Sequence, residues 1–331
     1  MTFHHPVLIG DIGGTNARFA LLPAPGAPMV VLPRVLTADC PGPEAAIRDA
    51  LREADAPPRS AVLAVAARVE GPVVRMTNAH WTIDAAGIAS TLGLDRVTLV
   101  NDYVPVAAAL SALRPEADDL VRIGPALDAG SGPKVVLGPG TGLGAAALLP
   151  VGDRFLVLPT EAGHVEFGPA EADEAALWDG IERVCGRVTA ETVLSGPGLV
   201  RLHQALVRTA GASVGFDAPS DVCAAGLSGD DRHAAAALDL FARLLGRFAG
   251  DLGVIFGATG GVYIASGIAP RILDMLREGG FRAAFERKAP QDAFVRAVPT
   301  WVVLHPDPAL LGLSVLAEHD ERFTYPCTTH R

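Results

Sequence analysis

Residues 7–22, VLIGDIGGTNARFALL, place Asp11, Gly13, Gly14, Thr15, Asn16 and Arg18 in one short polar turn between two apolar runs. Adjacent glycines allow close approaches that a side chain would block. In such a turn, successive N–H groups can face one concavity and bind an anion. A carboxylate beside that anion repels it unless a cation lies between them. Glycine amides for a phosphate, with Asp11 for its magnesium, is the chemical reading of this segment. The alternative is an ordinary hairpin closed by a glycine turn.

The pattern recurs. Residues 134–149, KVVLGPGTGLGAAALL, again give an apolar strand, a glycine turn with a threonine (Gly140, Thr141, Gly142) and an apolar strand, about 127 residues after the first. Two such hairpins suggest an internal duplication, one copy per domain. Gly140 to Ala145 also fits the permissive dinucleotide pattern G-x-G-x-x-A, with Glu161 following. That pattern needs a helix directly after the turn. Here a strand, a second turn at residues 150–153 and another strand follow, so the dehydrogenase reading fails. No G-x-x-x-x-G-K-[ST] stretch is present either.

Three further places carry polar chemistry. Asn101 and Asp102 end the apolar run 96–100, at the carboxyl end of a strand where open α/β sheets gather their ligands. Asp102 can equally cap the following helix. Residues 159–167, PTEAGHVEF, bring Glu161, His164 and Glu166 together. With no second histidine nearby, they suit sugar hydroxyls, which both donate and accept, better than a metal. Glu191 lies on a short helical stretch stopped by Gly196–Pro197–Gly198; a solvated helix face is its other reading.

The elements that must position these groups alternate. Helical spacing is found at 44–53, 84–93, 104–113, 172–183, 198–210, 231–248, 271–278 and 308–317. Strands are expected at 30–36, 61–67, 73–77, 96–100, 154–158 and 298–304, and residues 118–133 form a Gly/Pro/Asp-rich link. Alternation of this kind argues for a mostly parallel α/β sheet. Residues 260–271 read as a strand entering a glycine turn and then a helix, a start that suits a nucleotide.

Composition narrows the class. Half the residues are apolar, 19% are charged and the formal charge is −10, with no basic run, so a nucleic-acid surface is not expected. The four cysteines are scattered and form no C-x-x-C pair. The first ten residues lack a signal-peptide pattern, and no run approaches the roughly 20 apolar residues of a membrane span. A cytoplasmic protein is expected.

Taken together, GDIGGTNARFAL, MTNAHW, NDYVPVA, GPGTGLGAA, PTEAGHVEF, AETVLSGPGL, GGVYIASGIAPR and FRAAFERK resemble, in order and nearly end to end, the bacterial glucokinase family of the actin–hexokinase–sugar kinase superfamily. The resemblance implies two ribonuclease H-like α/β domains, with mixed sheets flanked by helices and an active-site cleft between them. A small domain would span 1–112 plus the helix at about 306–331, and a large one 113–305. It implies phosphoryl transfer from MgATP to the 6-hydroxyl of glucose. Asp102 would be the base, and Asn78, Asn101, Asp102, Glu161, His164 and Glu191 the sugar ligands. The phosphate turns would be residues 13–18 and 140–142, with Asp11 orienting Mg²⁺ through water and Gly267 on the adenosine side. No zinc site is implied, and a homodimer is.

Two departures stand out. Ser266 replaces a glycine before Gly267, and residues 66–71 lack a proline usual in relatives. The rival functions are a sugar-binding regulator, for which an N-terminal helix-turn-helix would find no room, and an actin-type ATPase, against which the Asn101–Asp102 pair and the sugar residues argue.

Overall fold

The structure is a computed structural model that describes residues 3–76, 79–213 and 215–331. In chain order the strands are β1 (Val7–Ile12), β2 (Asn16–Leu22), β3 (Val30–Val31), β4 (Val35–Leu36), β5 (Ser60–Val65), β6 (Val73–Arg75), β7 (Thr82–Asp84) and β8 (Arg96–Asn101). Then come β9 (Leu120–Arg122), β10 (Lys134–Pro139), β11 (Leu143–Val151), β12 (Arg154–Thr160), β13 (Gly261–Ile264), β14 (Thr300–Val303), β15 (Phe323–Thr324) and β16 (Thr328–His330). The helices are α1 (Pro43–Ala50), α2 (Ala85–Leu92), α3 (Tyr103–Ala109), α4 (Ala172–Trp178), α5 (Ala190–Val193) and α6 (Gly196–Thr209). They continue with α7 (Pro219–Ser228), α8 (Arg232–Phe256), α9 (Leu273–Arg277), α10 (Gly280–Glu286), α11 (Asp292–Arg296) and α12 (Pro308–Glu318).

The chain divides into two compact units, the first made of Met1–Leu113, Ala146–Pro159 and His305–Arg331, the second of Arg114–Ala145 and Thr160–Leu304. The fold is mixed α/β, with helices on mixed sheets. In the first unit the strand order is β16-β8-β5-β1-β2-β3, with β4 also on β2. β1, β5 and β8 run parallel, whereas β2 and β16 are antiparallel to their neighbours. The local sequence alternation had suggested a mostly parallel sheet, but a tight turn after β1 can only return an antiparallel strand. The core here is an apolar cluster that includes Ile12, Phe19, Ile47, Leu63, Trp81, Ile88 and Leu99. Helix α12 packs on α3 so closely that a Cβ on Gly312 would collide with the Pro105 carbonyl.

In the second unit β10, β13 and β14 are parallel neighbours and β9 closes the row antiparallel to β14. A buried arginine organises one end of it. Arg282, 7% exposed, donates to Glu286, to the carbonyls of Val295, Arg296 and Val298, and to Thr300 Oγ1. A buried guanidinium is tolerable only when its donors are met in this way. Among the described residues no helix is long and apolar enough to cross a membrane.

Several sequence expectations shift in detail. Residues 30–36 form two short strands, broken around Pro33, which cannot donate to a ladder. The stretch 118–133 contains strand β9. Gly196–Pro197–Gly198 does not stop a helix; it opens α6, with Ser195 as N-cap accepting from the Gly198 amide at 3.0 Å. Helix α8 runs on to Phe256, where Gly257 ends it at φ 57°. The expected caps of α2 are both present: Asp84 accepts from the Ala86 amide, and Gly93 takes φ 66°.

Candidate active site

The first glycine turn is built by β1 and β2 and braced by a neighbour. Gly13 N–H donates to the Asn16 carbonyl at 2.9 Å, closing the turn. Thr37, buried, holds it from outside: its hydroxyl donates to the Gly13 carbonyl at 3.1 Å and its amide to the Thr15 carbonyl at 3.0 Å. The amides of Gly14 and Thr15 meet no acceptor among the described residues. Donors held open on a braced turn are what an anion needs. Asn16 Oδ1 accepts from Arg34 Nε at 2.9 Å, so its side chain faces a partner rather than the turn.

Asp11 and Arg18 face each other across the β1–β2 ladder. Arg18 Nη1 nevertheless makes its short ion pair, 2.7 Å, with Asp307 Oδ1. Asp11 has no ion pair or side-chain hydrogen bond among the described residues. Burial pushes its carboxyl above the usual range, the Arg18 guanidinium pulls it down, and the Asp307 carboxylate pushes it up again.

At the end of β8 the two readings of Asp102 separate. It occupies the N-cap position of α3, yet its side chain makes no cap bond. Asn101 takes that task, its Oδ1 accepting from the Tyr103 amide at 3.0 Å. The Asn101 amide group donates to Asp102 Oδ1 at 2.9 Å and to the Ala67 carbonyl at 3.2 Å. The Asp102 amide donates to the Val65 carbonyl at 3.0 Å, which fixes the backbone at the strand's exit. Both residues are half-buried. Asn78 lies outside the described residues.

The second glycine turn has the same closure and a different set of neighbours. Gly140 N–H donates to the Gly142 carbonyl at 2.8 Å, and the Gly140 carbonyl accepts from Gly196 N–H at 2.7 Å. The amides of Thr141 and Gly142 meet no acceptor among the described residues. The next amide, of Leu143, donates to Glu191 Oε2 at 2.8 Å. Glu191 is therefore not a solvated helix face; it sits on α5, whose start is fixed by a reciprocal Thr189–Thr192 capping box. An added Cβ on Gly142 would lie 2.5 Å from Glu191 Oε2.

Leu143 also carries the loop of Glu161 and His164. Gly163 lies so near the Leu143 carbonyl that any Cβ there would overlap it. His164 Nε2 is 3.6 Å from Glu161 Oε2, and both side chains are exposed. Glu166 turns away to Arg187 at 3.2 Å. The end of the loop is clamped by Arg247, which lies over the Phe167 ring, donates to the Gly168 carbonyl at 2.6 Å and pairs with buried Glu174 at 2.7 Å. Gly267 stands exposed after β13. Ser266, the unexpected residue before it, accepts from the Ala269 amide at 3.1 Å and so starts a short 3₁₀ turn.

A family model described as Glucokinase matches residues 8–320. The chain belongs to the glucokinase family. It is 43% identical to the glucokinase of Agrobacterium fabrum over 94% of this chain and 92% of that one, and 42% identical to the glucokinase of Brucella suis over 97% and 94%. Among solved structures it is similar to a glucokinase from an Antarctic psychrotroph, with TM-score 0.82, 29% identity, and 96% and 99% of the two chains covered. A ROK-family glucokinase from Streptomyces griseus, solved with glucose and AMPPNP, shares the fold at TM-score 0.65 and 20% identity, with 95% and 99% covered. With this glucokinase-family membership comes the enzyme class: the chain is an ATP-dependent hexose kinase.

Two residues of this family member's first turn escaped the sequence reading. Asp307 precedes Pro308 at a helix start, so its type reads as a cap. Thr37 lies in an unremarkable Leu-Thr-Ala-Asp stretch, and only its contacts disclose it.

Proposed function

We propose that this chain transfers the γ-phosphoryl group of MgATP to the 6-hydroxyl of glucose, yielding glucose 6-phosphate and ADP. The observation that carries the reading is the pair of glycine turns, each braced by its own carbonyl contacts and each leaving two consecutive amides open. Those amides (Gly14 and Thr15, Thr141 and Gly142) hold donor phosphates, with the Thr15 and Thr141 hydroxyls beside them. Arg18 adds charge to the first turn, and Gly267 belongs to the adenosine side.

Asp102 accepts the proton as the 6-oxygen bonds to phosphorus and the bond to the β-phosphate oxygen breaks. Asn101 holds the Asp102 carboxylate in place. Glu161, His164 and Glu191, with Asn78 and Asn101, hold the sugar hydroxyls. Asp11 suits Mg²⁺: it is half-buried, lacks an ion-pair partner and stands beside open amides. Asp11 would hold the ion through water, since Mg²⁺ keeps much of its hydration. Mg²⁺, when bound, screens the phosphate charge. A cytoplasmic homodimer completes the reading, on family analogy.

The test is a coupled assay for glucose 6-phosphate with MgATP, run against mannose, fructose and no sugar. Glucose-dependent product is expected. ATP consumption indifferent to glucose would point to an actin-type ATPase. Glucose binding without phosphorylation by any donor would point to a regulator.

A further inference from the structure

Asp307 stands where an aspartate ordinarily accepts from the first amides of a helix, yet its side chain makes no such bond to α12. A cap of that kind is a usual source of helix stability, and here the carboxylate is committed elsewhere, to Arg18 Nη1 at 2.7 Å. Arg18 has a second acid within reach. Asp11 is its direct cross-strand partner, and opposite residues of an antiparallel pair share one face with Cβ atoms about 5 Å apart. One guanidinium thus stands before two carboxylates, and the short ion pair goes to Asp307. Asp11 keeps no ion pair among the described residues.

We propose that Asp307 is a positioning residue of the nucleotide site: it withdraws Arg18 from Asp11, so that Asp11 meets the metal of the bound nucleotide as an unpaired carboxylate. This deepens the kinase reading and rests on it. Asp307 touches neither substrate nor metal; it acts through Arg18. Without it, Arg18 turns to Asp11, the two charges neutralise each other, and the metal loses its acid.

The experiment measures binding without turnover. Titration calorimetry with MgADP, and with ADP in EDTA, gives the factor by which Mg²⁺ strengthens nucleotide binding. In Asp307→Ala that factor falls by about twofold to fivefold, the range expected for release of one partly exposed ion pair onto a neighbouring acid. Asp307→Asn, which still accepts from Arg18, recovers most of it. In an Arg18→Ala background the Asp307→Ala change has no further effect, since neighbours that act through each other do not add. Asp307→Ser replaces the alanine variant if that one does not fold, and thermal melts accompany each.

A purely structural Asp307 would lower the melting temperature and leave the Mg²⁺ factor unchanged, which overturns the proposal. So would an undiminished effect of Asp307→Ala in the Arg18→Ala background. If the wild-type protein binds MgADP but phosphorylates no sugar, the kinase reading fails while the Mg²⁺ factor still decides the role of Asp307. If it binds no MgADP, both fail together.

Discussion

The two glycine turns have the same backbone closure and opposite company. Around the first stand Asp11, Arg18, Asp307 and the Arg34–Asn16 pair, charged or polar side chains, beside the hydroxyl and amide bonds from Thr37. Around the second the contacts are backbone ones, from Gly196 and Gly163, plus the carboxylate of Glu191 on the Leu143 amide. One device has therefore been joined to two kinds of support. The first turn is set among groups that manage charge. The second is bonded directly to a residue assigned to the sugar, so that displacement of either moves the other. A shared motif does not imply a shared task, and the contacts behind each turn are what separate them.

The largest expected effect tests the chemistry proposed for both turns. Asp102→Asn lowers turnover by about 10²–10⁴-fold, with glucose affinity, read by fluorescence titration, kept near wild type. Strong turnover in that variant would remove Asp102 as the base. Next come paired alanines that set one turn against the other. Gly142→Ala drives its Cβ onto Glu191 Oε2 and raises KM for glucose by about tenfold, the cost of one charge-assisted hydrogen bond. Gly13→Ala places a Cβ 3.2 Å from the Asn16 carbonyl and raises KM for MgATP by only about threefold, leaving glucose unchanged. Steady-state kinetics on both variants decides: if they move the same KM, the contrast between the turns is void. The smallest effect is Thr37→Val, which removes the hydroxyl bond to the Gly13 carbonyl. It lowers the unfolding midpoint by about 1–3 °C and does not move KM for glucose.

Much of this was legible in the chain. The hairpins around Gly13 and Gly140 follow from apolar runs flanking glycines, and the bounds of α2 follow from Asp84 and Gly93. These signals are local. What stayed hidden depends on distant partners. Strand β9 sits in a polar stretch because it is a three-residue row beside β14. The reading of Gly196–Pro197–Gly198 as a stop failed because glycine and proline mark both ends of helices, and only the Ser195 cap decides which. Asp102 and Asp307 carry the same ambiguity. Both occupy cap positions, neither caps, and their actual partners are Asn101, one residue away, and Arg18, far along the chain.

Strand β16 covers the β8 side of the first sheet, pairing His330 with Val97 and Thr328 with Leu99, the latter two residues before Asn101. Synthesis reaches β16 roughly 230 residues after β8, on the order of tens of seconds at usual elongation rates. During that interval the second unit's residues have all emerged, while the strand that ends in Asn101 still presents an unpaired edge, the kind of surface that recruits other chains. The nascent protein is thus open to misassembly at the strand that ends in Asn101, and a chaperone that shields one edge during translation would have this one to shield.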